Sequence, residues 1–442
     1  MTAWKCLAVI CLVLVFGTTA TAQAYLLAES VRADQYHHYQ IRMELDGKLT
    51  IQQDDEKKEL KQQAQANHEF AERVLETGKH NVLVKTARYY QNASATIQVR
   101  TMKATRTLRP EHRLLVAQRT KDGLVTFSPK GPLTHAELDV TKHFDTHGIS
   151  GLLPGRKVSI GDTWKLHNAV VQSLCYFDGL TKQGLTCKLT GVRGDVATVA
   201  VEGPASGIVN GAAVNLKIDA TYAFSMTEKG ITSITWTQND QRDPGPVSPS
   251  LEAIVKVSVQ RRSVDAPVQL SDIALVPVPR SEELPERLTN LEYVDLNKRF
   301  RFYPSREWII VARTKQHLVM RILDRGAFVA QATIASWPKA KPGEHTSPED
   351  FQTAMQEMHG WEPEETDKGE ELKAQDGYYI YRLSATGKLY DLNALQYFYL
   401  VTGPEGDQLV VSFTMPPADA QKLGAKDYDF VRSIRFGDVE SE

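Results

Sequence analysis

Catalytic signatures are missing from this 442-residue chain. It contains no Gly-x-Ser-x-Gly elbow, phosphate loop, dinucleotide fingerprint or Cys-x-x-Cys pair, so serine, phosphoryl, hydride-transfer and dithiol chemistry have no recognisable seat. A basic excess is missing too. Lysine and arginine number 52 against 54 aspartates and glutamates, a net charge of −2, which excludes an electrostatic nucleic-acid binder. Beyond Phe16 no apolar run approaches the roughly 20 residues a membrane-spanning helix needs. Cysteine is scarce, with four in the whole chain.

What is present begins with an address. Lys5 precedes an apolar run from Cys6 to Phe16, small polar residues follow, and Ala22-Gln23-Ala24 offers a peptidase site. This predicts a signal peptide over residues 1–24, a mature chain from about Tyr25, and export to the periplasm or the extracellular space. Lipid attachment at Cys11 is disfavoured, because Ala8-Val9-Ile10 puts no small residue directly before it. Cys175 and Cys187 remain. In an oxidising compartment the pair reads as one disulfide across a hairpin, with Asp178-Gly179 and Gln183-Gly184 as turn signals; two buried free thiols are the alternative.

From residue 25 to 264, short apolar and polar alternation broken by Gly, Pro, Asn and Asp predicts an antiparallel β-rich domain. Lys57 to Thr77 has helix-favouring composition yet places Ala64, Ala66, His68 and Phe70 at period two, and is read as a long strand. Leu133 to Phe144 reads as a helix, with Thr134 and Glu137 forming a capping box. Trp164 to Val171 reads as a strand. Prolines across 265–297 predict an extended linker. Residues 298–437 then mix strands with two helices, one capped by Ser347 with Pro348 at its first position, the other from Pro417 to about Ser433. The fold class expected is α+β.

Within the last third, Phe300-Arg301-Phe302-Tyr303-Pro304-Ser305-Arg306-Glu307-Trp308, the late hairpin built from Gln396 to Val401 and Gln408 to Phe413, and the closing Asp429 to Phe436 resemble the PsbP-like fold. That resemblance implies an α/β/α sandwich with an antiparallel sheet, usually used for protein contacts. The corner from Leu153 to Trp164 and the run Arg242-Asp243-Pro244-Gly245-Pro246 are similar to an uncharacterised bacterial secreted β-rich family, which implies no activity.

Chemistry could gather in few places. His135, Glu137, Asp139, His143, Asp145 and His147 form the densest polar cluster. His143 and His147 stand four apart, but Phe144 replaces the glutamate a zinc protease uses and Gly148 ends the helix, so a solvated helix end is preferred to a metal site. His37 and His38 alternate and point to opposite faces. The pairs Asp54-Asp55 and Glu364-Glu365 read as solvated surface. Tyr378, Tyr379, Tyr381, Tyr390, Tyr397, Phe398 and Tyr399 read as cross-strand packing, with a recognition surface as the alternative. No catalytic, metal or cofactor residue is assigned. The expected role is a non-enzymatic exported protein binding a protein partner in the cell envelope. A carrier of a lipid or apolar ligand in an open β-barrel is the alternative, and a metal-dependent hydrolase the least favoured.

Overall fold

The computed structural model describes residues 23–53, 56–78, 82–120, 123–281, 283–374 and 376–437. The peptidase-site residue Ala22, everything before it, and the Asp54-Asp55 pair lie outside the described residues.

Strands dominate the first part. They are β1 (Ala24–Leu27), β2 (Tyr36–Gln53), β3 (Glu56–Thr77), β4 (Leu83–Val99), β5 (Met102–Thr107), β6 (Leu114–Thr120), β7 (Gly123–Phe127) and β8 (Leu133–Thr134). Helix α1 (His135–Thr141) follows, then β9 (Arg156–Ser159), β10 (Thr163–Lys165), helix α2 (Asn168–Leu174) and β11 (Gly179–Gln183). The part closes with β12 (Thr186–Arg193), β13 (Val196–Val209), β14 (Ala212–Ser225), β15 (Gly230–Arg242) and β16 (Ser250–Ser263). A thirteen-stranded antiparallel sheet runs β10-β12-β13-β14-β15-β16-β2-β3-β4-β6-β7, with β5 beside β4 and β11 beside β13.

Residues 57–77 are strand, as the alternation predicts, because packing against β2 and β4 outweighs their helical propensity. The capping box at Thr134 and Glu137 is formed, though the helix stops at Thr141, three residues early. Trp164 to Val171 corrects the expectation: the strand ends at Lys165, and Val171 and Leu174 bury the inner side of a helix instead. A run mixing both periods misleads when it contains a boundary.

The predicted disulfide is absent: Cys175 and Cys187 are free and buried. The hairpin expected between them does not exist, since Cys175 caps the C-terminus of α2 while Cys187 lies inside β12, paired with Trp164 and Val201. Burial pushes each thiol up to about 12.

Residues 265–297 are not an extended connector. Val268–Leu270 forms a 3-10 turn and α3 (Glu286–Thr289) a short helix, and Leu270 and Leu288 are buried against the first part. Arg73 and Lys85 reach out to the carbonyls of Leu270 and Pro279. Leu275, Val278 and Leu284 are partly buried beside them, so the segment packs down along one side, while Val268, Ile273 and Val276 stay exposed.

The rest of the chain comprises β17 (Leu291–Val294), β18 (Phe300–Phe302), β19 (Ile309–Arg313), β20 (His317–Asp324), β21 (Ala327–Trp337), α4 (Pro348–Gln356), β22 (Trp361–Thr366) and β23 (Glu370–Leu372). After these come β24 (Tyr379–Leu389), β25 (Leu392–Thr402), β26 (Gln408–Met415), α5 (Ala420–Leu423), α6 (Lys426–Arg432) and β27 (Arg435–Phe436). Eight antiparallel strands form the order β19-β20-β21-β26-β25-β24-β22, with β23 beside β24. Phe351 and Met355 of α4 pack on the face bearing Leu383, Phe398 and Leu400, while Leu423, Phe430 and Val431 of α5 and α6 pack with Ile380, Tyr399 and Val401. Ser347 caps α4 and Pro348 opens it, as expected. The single closing helix expected from Pro417 is split at Gly424, whose φ of 60° no helix accommodates.

The two parts are sewn together. β8 pairs in parallel with β17, giving a small sheet of order β27-β18-β17-β8 that draws strands from both. Beside it Arg109 grips Glu137 from one side and Glu292 from the other, each at 2.9 Å.

Candidate functional site

The polar cluster foreseen around residues 135–147 is inside the protein, which corrects the reading of a solvated helix end. His143, Asp145 and His147 are each about 97% or more buried. The loop that follows α1 carries them under the sheet, where β3 and β4 present His68, Glu72, Thr86, Arg88 and Tyr90 at alternate inward positions. His135 lies elsewhere, its Nε2 3.3 Å from the Trp308 carbonyl at the seam, and Asp139 is exposed and paired with Arg106.

The interior is organised around an ion pair. Glu72 and Arg88 meet at 2.8 Å with side-chain exposures of 0% and 2%, and the Thr86 and Thr146 hydroxyls both donate to the same Glu72 oxygen. His147 lies 2.9 Å from the Thr86 hydroxyl through Nε2. Thr86 has one proton, committed to Glu72, so His147 donates and Thr86 accepts. His143 holds Nδ1 2.9 Å from the Phe144 carbonyl and Nε2 2.8 Å from the Tyr90 hydroxyl. A carbonyl only accepts, so Nδ1 carries the proton and Nε2 accepts from Tyr90. Burial, then the neighbouring His68 and Arg88, holds the His143 imidazole well below its usual range; burial, Arg88 and Arg119 do the same to His147. Burial pushes the Tyr90 phenol up to about 12.

Both ring nitrogens of His143 are therefore occupied, and the lone pair a metal would need is taken by Tyr90. Asp145 is spent as well: it caps the following 3-10 turn through the His147 N–H and accepts from Ser173. Among the described residues no three His, Cys, Asp or Glu side chains group in a way that could hold a metal ion. The network ties loop to sheet, and Glu72, Thr86, Arg88, Tyr90, His143, Thr146 and His147 are all buried.

Glu137 makes a second polar node. Burial alone would raise its carboxyl, but hydrogen bonds from His112, Arg109 and the backbone of Thr134 and Arg109 hold it far below the usual carboxylate range. Other sequence candidates separate. His37 is buried and His38 half-buried beside Glu69, on opposite faces as expected. Glu364 and Glu365 are exposed. Tyr381, Phe398 and Tyr399 are core residues, while Tyr390 is exposed, so these rings present no common face.

The surface offers what the interior does not. Register across β16, β2, β3 and β4 lines up Val255, Leu45, Ala64 and Ile97 in one row and Val257, Met43, Ala66 and Ala95 in the next. Leu251, Leu49 and Leu60 add a third row across three strands. Along β2 to β4 these residues are only half-buried, and Met102 on neighbouring β5 is 71% exposed. The reverse face of the same strands carries Lys256, Glu44, Gln65 and Thr96, then Ile254, Asp46, Gln63 and Gln98, around an open groove of about 550 Å³. One face of this part of the sheet is thus aliphatic and the other mostly polar apart from Ile254, and the aliphatic face extends past the core that α1 and the following loop cover. The buried Glu72–Arg88 pair and the aliphatic rows were both missed from sequence. The inward parity of Thr86, Arg88 and Tyr90 is the signal that could have found the first.

No family model matches this chain, and no curated protein matches it. Among solved structures it is similar to the cyanobacterial PsbP of Synechocystis sp. PCC 6803, at 14% identity and a TM-score of 0.26, over 34% of this chain and 93% of that one. It is also similar to a Ran-binding protein of Saccharomyces cerevisiae, at 14% identity and a TM-score of 0.26, over 34% of this chain and 96% of that one. Lipovitellin matches at 11% identity and a TM-score of 0.29, over 54% of this chain and 26% of that one.

Proposed function

We propose that the protein is a non-enzymatic exported component of the cell envelope that binds a protein partner across the aliphatic face of β2, β3, β4 and β16. The C-terminal part is read as an α/β/α sandwich of the PsbP-like kind, held against the sheet as a second wall. The observation that carries this reading is the set of aliphatic rows lying half-open to solvent beyond the core. Contiguous exposed apolar surface of that kind marks interaction sites, and each 100 Å² covered contributes about 2.5 kcal/mol before ordering costs. A non-catalytic role is supported by the burial of His143 and His147 and by the engagement of both His143 ring nitrogens. Export is supported by Lys5, the run from Cys6 to Phe16 and Ala22-Gln23-Ala24. An enclosed carrier is less well supported, since Phe144, Trp236, Val171 and Leu174 fill the inner side of the sheet near α2.

A photo-crosslinking residue at Ile97 or Leu45, compared with one at Gln65 on the reverse face, tests the proposal in cells. Protein crosslinks from the aliphatic positions alone are expected, abolished when Ala64 is changed to arginine. Equal labelling from both faces, or native mass spectrometry showing a co-purified lipid instead of a protein, would refute it.

A further inference from the structure

A smaller hollow of about 300 Å³ lies in the C-terminal part, where the start of β24 and the residues after β23 meet α6 and the approach to β27. The charges on its lining have one sign. Lys373, Arg432 and Arg435 line it, and no carboxylate does among the described residues. In a chain whose net charge is −2, three cations gathered round one depression draw anions to it.

These cations are exposed and little engaged. The Lys373 ammonium has no hydrogen bond or ion pair among the described residues. Arg432 has Asp429 at 3.7 Å, with both side chains more than 60% exposed, a pair that water largely screens. Arg435 is the one held in place. Its Nη1 donates to the carbonyls of Arg432 and Ile434 at 2.8 and 2.7 Å, and its guanidinium lies 5.5 Å over the Tyr378 ring. Tyr378 is fixed in turn by stacking on Phe436 at 5.9 Å and by accepting the Phe436 N–H on its hydroxyl. Nε and Nη2 of Arg435 have no protein partner among the described residues, and that edge of a guanidinium is the one that takes a carboxylate in two parallel hydrogen bonds. A guanidinium already anchored at Nη1 and over a ring loses little freedom when the anion arrives.

The remainder of the lining is apolar. Ile380, Val431 and Ile434 form a buried floor, and Tyr378 and Tyr428 are half-buried walls. Tyr428 also donates its hydroxyl to the Lys373 carbonyl at 2.8 Å, which ties the lysine's backbone to α6. Aliphatic floor and aromatic walls suit a flat apolar body, and the cations beside them suit a negative head.

We propose that this hollow binds an organic anion carrying one carboxylate on a flat apolar body, with Arg435 gripping the carboxylate through Nε and Nη2, Lys373 adding a second positive charge, and Tyr378 with the floor of Ile380, Val431 and Ile434 receiving the body. Isothermal titration of the mature chain with 2-naphthoate tests it. Saturable binding at one site is expected, weakened at least about tenfold for 2-naphthamide, which lacks the charge, and for acetate, which lacks the body. Lys373→Glu reverses a charge that makes no contact within the fold, so it should abolish binding and leave the melting temperature unchanged. Lys388→Glu, exposed at the far end of β24, should keep the affinity within about twofold. Arg435→Gln should weaken binding at least about tenfold with the melting temperature recorded alongside, and Lys373→Glu covers the case in which that variant unfolds. No saturable heat, equal affinity for 2-naphthamide, or unchanged binding by Lys373→Glu would overturn the proposal. So would binding that appears only when residues 438–442 are deleted, since Asp438, Glu440 and Glu442 of the chain itself would then be what the cations serve.

Discussion

Replacing Arg88 with methionine isolates the energetics of the interior. Methionine keeps the unbranched apolar stem but not the guanidinium that lies 5.6 Å over Phe70, and the Glu72 carboxylate is left with the Thr86 and Thr146 hydroxyls alone. Removing one partner of a fully buried ion pair costs about 3–5 kcal/mol, because the survivor keeps its desolvation penalty. For a unit of this size each kcal/mol lowers Tm by roughly 2–4 °C, so a drop of roughly 6–20 °C is expected. Urea unfolding followed through the fluorescence of buried Trp236, which packs on Phe144 above the network, reads it directly. Adding Glu72→Leu removes the stranded charge, and the double variant should recover to within about 1 kcal/mol of the native protein. A loss below about 1 kcal/mol for Arg88→Met, or a double variant no better than the single, would show that the pair is not what holds loop to sheet.

Three further outcomes follow from the same geometry. The imidazoles of His143 and His147 sit below their unfolded value of about 6.5, so the unfolded chain binds more protons and stability should fall as pH drops through that value; a His143→Phe variant should show a shallower decline, and a flat urea midpoint between about pH 5 and 7 would contradict this. Glu137→Ala should cost more than Thr134→Ala, roughly 3 against 1 kcal/mol by chemical unfolding, since it strands Arg109 and His112 as well as the cap; equal losses would mean that the seam contributes little. Both thiols of the mature chain should resist iodoacetamide until the protein is unfolded, and intact mass should show two free cysteines without reductant; a bridged species would contradict the separate burial of Cys175 and Cys187.

Much of the strand content was legible because alternation survives in the residues themselves. Val255, Val257 and Val259 against Ile254, Lys256 and Ser258 announce a sheet strand wherever they are read. The Thr134 and Glu137 cap was legible for the same reason, being local. What failed was non-local. Whether His143 faces water depends on Tyr90 and Phe70, more than fifty residues away, and no spacing near His143 encodes them. Cys175 and Cys187 look like a hairpin pair until the helix from Asn168 turns the first away. The prolines between 265 and 297 suggested a free tether because proline patterns report backbone angles and not what Leu270 and Leu288 will touch. Tyr381 and Tyr399 read as cross-strand packing, but which helix covers each becomes visible only in the fold, where helices settle on both sides of their sheet.

The pairing of Leu133 and Thr134 with Leu291 and Glu292 has a bearing on biogenesis. That small sheet also takes in Phe300 to Phe302 and, last, Arg435 and Phe436. An emerging chain can assemble the great β-structure early, yet its seam stays open until the ribosome has delivered Leu291 and Glu292, 158 positions beyond their partners Leu133 and Thr134. Until then the edge at Leu133 is an unpaired ledge, and a chaperone with affinity for extended segments would find it there.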